Sequence, residues 1–336
     1  MTSAKLALTG ALAGVYPREK PARSEGPDDP FWFITRLTGG DVPGLRYVLP
    51  DWPGGYQQEK AGMKVAIIGC GPAGLAAAHA AYGLDAEVTI FSPGIKSPQR
   101  GPLVLQRPIP GVTNDHPDGY IRQLVIGGSI LQYRYRLYGD ININIQGNIL
   151  KEGYHCWRHI ETYDRLWLMY MEPLSGRAKR VDGMVRPTLL LSMMTHQDYD
   201  LIINTAPLID MCRHYTSPTP MHEFRYHPVQ ITMGHSYPDQ PEDTTIFNAG
   251  DEFPWVRSAW LLGNSCTEWI AGTAPEELDP ITIRKPIGHN CDCYPTVLGT
   301  GRFGAWRNET WVDTAYWDTR DAIISMQRGK IWDQVK

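Results

Sequence analysis

No stretch of this chain approaches the roughly 20 consecutive apolar residues that cross a bilayer as a helix, so no membrane role is expected. The apolar stretch from Leu6 to Val15 is broken by Thr9, Gly10 and Gly14, which argues against a secretory signal core. Cysteine is sparse: six residues (Cys70, Cys156, Cys212, Cys266, Cys291 and Cys293) are scattered over 336, which is no disulfide framework and fits a reducing cytoplasm. Neither sign of charge dominates, with 32 basic against 36 acidic side chains and a formal net charge of −4. Bulk attraction to nucleic acid or to an anionic membrane is therefore not expected. The nucleophile elbow GxSxG and the zinc-protease signature HExxH are both missing, which disfavours a serine hydrolase and a zincin. Phenylalanine is scarce at 7 residues, whereas tyrosine reaches 17 and tryptophan 11. Aromatic rings with a polar tip suit a wide cleft for a flat or sugar-like ligand, and they equally suit packing beneath long loops.

What is present is a strand–turn–helix of strong character. Val65 to Ile68 is a short apolar run that reads as a buried parallel strand. Gly69, Gly71 and Gly74 follow in GxGxxG spacing, with Cys70, Pro72 and Ala73 between them, and the small residues Ala73 to Ala81 open a helix. In such a fingerprint the first glycine allows the tight turn. The second lets the backbone approach a pyrophosphate, and the third lets the helix pack close to the sheet. Phosphates would rest on unpaired N–H groups at the helix N-terminus, where the macrodipole favours negative charge. A second strand, Glu87-Val-Thr-Ile-Phe91, follows at βαβ distance. The stretch therefore predicts a dinucleotide-binding α/β domain with a parallel sheet of Rossmann type.

The rest of the chain divides around that unit. Residues 1–62 form a Pro/Gly-rich extension, punctuated by Pro17, Pro21, Pro27, Pro30, Pro43, Pro50 and Pro53, which opposes long helices and central strands. Residues 63–110 give the first part of the nucleotide-binding domain, and 111–184 a cap region with helices. Within the cap region, the alternation at 141–145 suggests a half-exposed strand and 160–171 an amphipathic helix. Residues 185–209 give the second part of the nucleotide-binding domain, with a strand-like run over 185–194 and a buried strand in Tyr199–Pro207. Residues 210–284 read as a sheet-rich substrate domain with strands near 223–233, 244–248 and 258–262. Residues 285–336 return the chain to the first domain through a helix over 311–327.

The order of these segments resembles FAD-dependent oxidoreductases of the glutathione reductase, amine oxidase and UDP-galactopyranose mutase type. The segment GRFGAW followed by WVDTAYWDTRDAI resembles their C-terminal flavin motif, in which a Gly-Arg pair precedes a helix facing the flavin. By that resemblance Gly301, Arg302 and Phe303 lie at the cofactor, with Arg302 on the pyrophosphate. Backbone N–H groups near Thr314 would face the pyrimidine end of the isoalloxazine. A cation fork and a helix dipole would both favour the negative charge of a reduced flavin. The strand of Tyr199–Pro207 would meet the cofactor through Thr205 and Ala206. The segment Asn248–Arg257 is similar to a Pro-aromatic-x-Arg stretch near the flavin, which makes Arg257 the expected active-site residue, anchoring an anionic group. Where that family ends its second strand in an acid for the ribose hydroxyls, this chain has Ser92, with Lys96 and Arg100 nearby. Serine with cations also suits a 2′-phosphate, so NADP(H) stays open as a ligand.

The broader similarity, over about residues 63–325, is to compact bacteriophage flavoproteins, some of which act as FAD-dependent lyases in thymine hypermodification. It rests on GPLVLQRPIPGVT, YRYRLYGD and KPIGHNCDC, and it would place the protein in the host cytoplasm. The expected reaction is hydride transfer from a C–H, one alpha to an amine in the favoured reading, to flavin N5, with a small molecule or a modified nucleobase as substrate. A UDP-sugar mutase, an NADPH-dependent reductase and a non-catalytic nucleotide-binding module are the alternatives. A nucleic-acid partner would need a local patch such as Arg122, Arg134 and Arg136, and the oligomeric state is not legible. The run His289-Asn-Cys-Asp-Cys293 lacks a second distant ligand pair of the usual zinc spacing, so no metal is expected. Gly299, Gly301 and Gly304 match GxGxxG formally, but the preceding apolar run is too short for a second nucleotide site.

Overall fold

The computed structural model is partitioned into two units, residues 1–54 and 55–336. The described residues, all in the second, are 62–96, 98, 103–139, 142, 153–212, 222–308 and 310–329. The N-terminal extension, the alternating segment at 141–145 (Asn142 apart) and Arg100 lie outside them.

A five-stranded, wholly parallel sheet is built around β1 (Lys64–Ile68). Its order is β13 (Val297–Gly299), β7 (Leu201–Asn204), β1, β2 (Glu87–Ser92), β6 (Lys179–Asp182). Both faces of β1 are buried, which is why its sequence is a continuous apolar run rather than an alternation. Val65 and Ile67 face one cluster with Val88, Ile90, Leu201 and Ile203, under helix α1 (Pro72–Tyr82). Ala66 and Ile68 face another with Phe91, Ile202 and Trp306. Pro72 sits at the start of α1, where its missing N–H costs nothing. The alanine-rich body of α1 is buried between the sheet and two further helices, α3 (His159–Tyr170) and α7 (Val312–Gln327). His79 fastens α1 to the following segment. Its Nε2 donates to the Pro110 carbonyl at 2.8 Å, which leaves Nδ1 to accept from the Tyr170 hydroxyl at 2.8 Å. Burial lowers the pKa of His79 and keeps this neutral tautomer in place.

The second sheet has eight strands in the order β12 (Ile281–His289), β8 (Phe224–Met233), β11 (Asn264–Ile270), β10 (Trp255–Leu261), β9 (Thr244–Asn248), β4 (Gly119–Ile126), β5 (Gly153–Arg158), β3 (Val104–Leu105). All its pairings are antiparallel except that of β4 with β9. Helix α2 (Ile130–Tyr138) packs on β9 and β10. It starts in a capping box between Ser129 and Gln132 and stops at Gly139, which takes the left-handed conformation that glycine favours. The strands expected near 223–233, 244–248 and 258–262 are β8, β9 and β10. One expectation is corrected: the apolar run over 185–194 is not a strand but helix α4 (Pro187–His196). Pro187 opens that helix, and Leu190 and Met193 supply its buried contacts at helical spacing. Sheet two also draws strands from both sides of residues 210–284, taking β3, β4 and β5 from the earlier part of the chain and most of β12 from beyond residue 284. No helix among the described residues is long and apolar enough to cross a membrane.

The fold depends on close backbone approach at two glycines. A Cβ at Gly74 would lie 2.0 Å from the Gly69 carbonyl oxygen, and one at Gly304 would lie 2.1 Å from that of Asn204. Gly74→Ala and Gly304→Ala should each lose about 1–3 kcal/mol of stability, because backbone rather than a flexible side chain must give way. Denaturant unfolding measures this, and wild-type midpoints for both variants would refute the tight packing.

Candidate functional site

The strand order reverses at β1, with β7 on one side and β2 on the other. In open α/β sheets a crevice forms beyond the carboxyl ends of the strands at such a point. Three backbone segments converge there. Gly69 takes φ +103°, a conformation that favours glycine, and its N–H donates to the Phe91 carbonyl at 2.9 Å. Thr205, just after β7, donates both its N–H (2.9 Å) and its hydroxyl (2.8 Å) to the Ile68 carbonyl, tying the ends of β7 and β1. Thr300, just after β13, donates its N–H to the Asn204 carbonyl at 3.0 Å. The short helix α6 (Gly301–Gly304) then packs against the fingerprint, since a Cβ at Gly301 would lie 2.6 Å from that of Ala73. The glycines of the formal second GxGxxG thus serve close packing.

Gly71 differs from its neighbours. It caps the N-terminus of α1 with φ −66°, and a Cβ built on it meets nothing within 4 Å. Gly69 and Gly74 are demanded by protein atoms; Gly71 faces open space. That is the shape of an anion cradle: unpaired amides at the head of an eleven-residue helix, with room in front of them. These features fit a dinucleotide diphosphate. At the end of β7 the Asn204 amide group donates to Ala206 O at 3.1 Å, so it shapes the turn rather than offering a donor to a ligand.

The other expected contacts are placed as follows. Ser92 ends β2 as anticipated, yet its side chain is buried, donating to Cys70 Sγ at 2.7 Å and accepting from the Gly94 N–H at 3.1 Å. Asp182, missed in the sequence reading, ends the neighbouring strand β6 level with Ser92. Lys96 pairs with Asp164 at 2.8 Å and lies over the rings of Tyr163 and Trp167, so it is turned toward α3. Phe303 is exposed. Thr314 lies in the first turn of α7, where its hydroxyl accepts from the Trp311 N–H at 3.2 Å. The adjacent Asp313 is buried and pairs with Arg107 at 3.1 Å. Of the basic patch, Arg136 is taken up by the carbonyls of Asn248 and Trp255 at 3.1 and 3.2 Å and by that of Phe253.

Arg302 and Arg257 come together. Arg257 on β10 and Glu268 on β11 are register partners and form an ion pair; the other carboxylate oxygen of Glu268 pairs with Lys285 of β12. The Arg302 guanidinium, reaching over from α6, interacts electrostatically with Tyr138, Arg257, Glu268 and Lys285. Two cations thus pair with one buried carboxylate and a third acts on it electrostatically; Glu268 and Lys285 are buried and the two arginines half-buried. Burial alone would raise the pKa of Glu268, but Arg257 and Lys285 hold it down at about 2. Burial lowers Lys285 to about 8, and the two arginines push it the same way while Glu268 opposes them. For Arg257 burial again disfavours charge, yet Glu268, Tyr133 and Cys266 keep its pKa above the usual value. The Nε of Arg257 is buried without a partner. The cluster has positive charge to spare and a buried donor without a partner. Glu268 and Lys285 carried no signal in the sequence, because nothing in a single strand reveals its partner across the sheet.

All six cysteines are free thiols. The sequence argument against a metal at Cys291 and Cys293 rested on a missing second pair of ligands, and the fold supplies one in Cys212 and His222.

The sequence matches no protein-family model and no curated protein. Among solved structures, the chain is similar to tetracycline destructase Tet(51), with a TM-score of 0.41 and 11% identity over 80% of this chain and 83% of that one. It is also similar to p-nitrophenol 4-monooxygenase PnpA from Pseudomonas putida, with a TM-score of 0.46 and 10% identity over 80% and 81%. A flavin-dependent halogenase from Xanthomonas campestris gives a TM-score of 0.43 and 10% identity over 82% and 73%.

Glu268→Gln should destabilise the protein by about 3–5 kcal/mol, since it leaves buried cations without their counter-charge. The pH dependence carries a sign. A carboxylate whose folded pKa sits at about 2 stabilises fully above its ordinary value of 4.5 and loses that contribution as pH falls toward 2. Unfolding curves between those limits should therefore be steeper in pH for wild type than for Glu268→Gln, and equal slopes would discount the cluster.

Proposed function

We propose that this chain binds FAD and acts as a flavin-dependent oxidoreductase on a substrate that carries an anionic group. The observation that carries the reading is the contrast among the fingerprint glycines, with Gly71 alone facing open space at the head of α1. The amides of residues 69–74 would hold the diphosphate. Asp182, at the end of β6, is a better candidate than Ser92 for the adenosine ribose, because the Ser92 hydroxyl is already engaged on both sides. NADP(H) loses support, since Lys96 is committed to Asp164. Thr205, Ala206, Gly301 and Ala73 shape the floor of the site through the approach of their backbones.

When bound, the flavin supplies a hydride acceptor for a substrate C–H, which we take to be alpha to an amine. The protein's part is orientation and charge. Arg257, with its unpartnered Nε, anchors the anionic group of the substrate, and Lys285 and Arg302 reinforce it. Arg302 is thereby reassigned from the pyrophosphate to the substrate side of the cleft. The finer reading, a base-linked amino-acid adduct as in phage thymine hypermodification, draws on GPLVLQRPIPGVT, YRYRLYGD and KPIGHNCDC. An amino-acid carboxylate would suit the charge cluster.

The purified protein should be yellow and should release FAD on denaturation, identified by mass spectrometry. Gly71→Val should leave the unfolding midpoint of the flavin-free protein unchanged, because its side chain enters open space in an extended backbone, and should abolish FAD retention. Colourless wild-type protein that takes up no added FAD would remove this reading. Turnover of a UDP-sugar only after dithionite reduction would replace it with the mutase alternative.

A further inference from the structure

The chain passes between its two sheets four times, and four metal-ligating side chains meet where the last two of these passages lie side by side. The first of the two leaves β7 through the short helix α5 (Leu208–Met211) and reaches β8. The second leaves β12 and reaches β13. Cys212 and His222 belong to the first, Cys291 and Cys293 to the second, and one ligand atom from each lies within 4.8 Å of all the others. Cys212 Sγ is 3.3 Å from His222 Nδ1 and 3.8 Å from Cys293 Sγ, and Cys293 Sγ is 3.4 Å from His222 Nδ1.

Those separations have a chemical meaning. A tetrahedral zinc ion with Zn–S about 2.3 Å and Zn–N about 2.0–2.1 Å sets sulfurs about 3.8 Å apart and sulfur to nitrogen about 3.6 Å apart. The other nitrogen of His222, Nε2, lies 3.2 Å from Asp292 Oδ1, the carboxylate partner that orients a metal-bound imidazole. The ligands are also held in place by contacts that involve none of their donor atoms. The Tyr294 hydroxyl donates to the Met211 carbonyl at 2.7 Å, and Glu223 and Asn290 exchange two hydrogen bonds, at 2.6 and 3.2 Å. Cys212 and Cys293 are buried.

We propose that Cys212, His222, Cys291 and Cys293 bind one structural zinc ion that clips these two sheet-to-sheet passages together. Three thiols and one imidazole complete four-coordination, so the site is closed and keeps no position for water or substrate. Binding deprotonates the thiols, their protons go to solvent, and the imidazole binds neutral through Nδ1. No electron transfer is involved. The sequence hides the site because its pairs are Cys-x-Cys and a Cys and His with nine residues between them, neither of which is the usual finger spacing.

The test uses the untagged full chain, produced with zinc supplied and analysed by plasma mass spectrometry after gel filtration. One zinc per chain is expected. Stripping zinc with a strong chelator should make three further thiols, those of Cys212, Cys291 and Cys293, reactive toward a thiol reagent, and the count should fall back when zinc is restored. Cobalt reconstitution should give the intense visible bands of tetrahedral thiolate cobalt, a readout that requires no variant. Cys293→Ser and His222→Ala should lose most of the zinc, whereas Cys156→Ser, a buried cysteine on β5, should keep it. Folded wild type that holds well under one zinc per chain after exposure to zinc would overturn the proposal. So would a Cys212–Cys293 disulfide detected by mass, or iron found in place of zinc.

Discussion

Everything in this molecule that bears on chemistry depends on three backbone turns lying almost in contact beyond β1, β7 and β13. The distances leave no slack. Cβ atoms at Gly69, Gly74, Gly299, Gly301 and Gly304 would all fall within 3.0 Å of atoms of the neighbouring turns or of their own turn. Close approach brings the end of β7 under the fingerprint and sets α6 against Ala73. Trp306, fully buried just after α6, then reaches sheet two, where its indole N–H donates to the Arg225 carbonyl at 3.1 Å between Phe224 and Tyr226. A larger side chain at Gly299, Gly301 or Gly304 would press on α6 or on its neighbours and displace the helix that carries Arg302. The steric constraint and the electrostatic cluster are therefore linked.

The cluster itself is costly to form. Taking charges out of water carries a penalty of several kcal/mol per ion, and pairing offsets it only where geometry is good. Glu268 pairs on both carboxylate oxygens, so it is well satisfied. The cations are less so, since Arg302 adds a third positive charge to one already shared carboxylate. A folded protein designed for stability alone would do better with apolar residues here. The two arginines keep part of their surface in solvent, so the surplus positive charge lies where an anionic ligand could offset it.

How much of this was legible in the sequence follows from the range of each interaction. The fingerprint is local: strand, glycines, proline and alanine helix lie within nineteen residues, and the structure has β1 and α1 where the pattern puts them. The strands at 244–248 and 224–233 and helix α7 were equally visible, because periodicity is local too. The segment 185–194 misled because a short apolar run looks alike as strand or helix, and the tie was broken by Pro187 and by packing on the far face of the parallel sheet. Arg257 could be singled out through resemblance. Its partners could not, since Glu268 is set by antiparallel register and Lys285 lies across β8. Cys212 and His222 were unreadable for the same reason, being separated from Cys291 and Cys293 by most of sheet two.

The two halves of the candidate site also differ in kind, and the difference has consequences for how each responds to its surroundings. At the head of α1 the binding groups are backbone amides, which carry fixed dipoles and do not titrate. A diphosphate held there is insensitive to pH across the physiological range. The charge cluster on sheet two is made of side chains, and one of them, Lys285, has been brought by burial to about 8. As pH rises through that value the cluster loses one positive charge and its attraction for an anion weakens, while the cofactor wall is unchanged. Substrate affinity should therefore fall on the alkaline side without loss of cofactor.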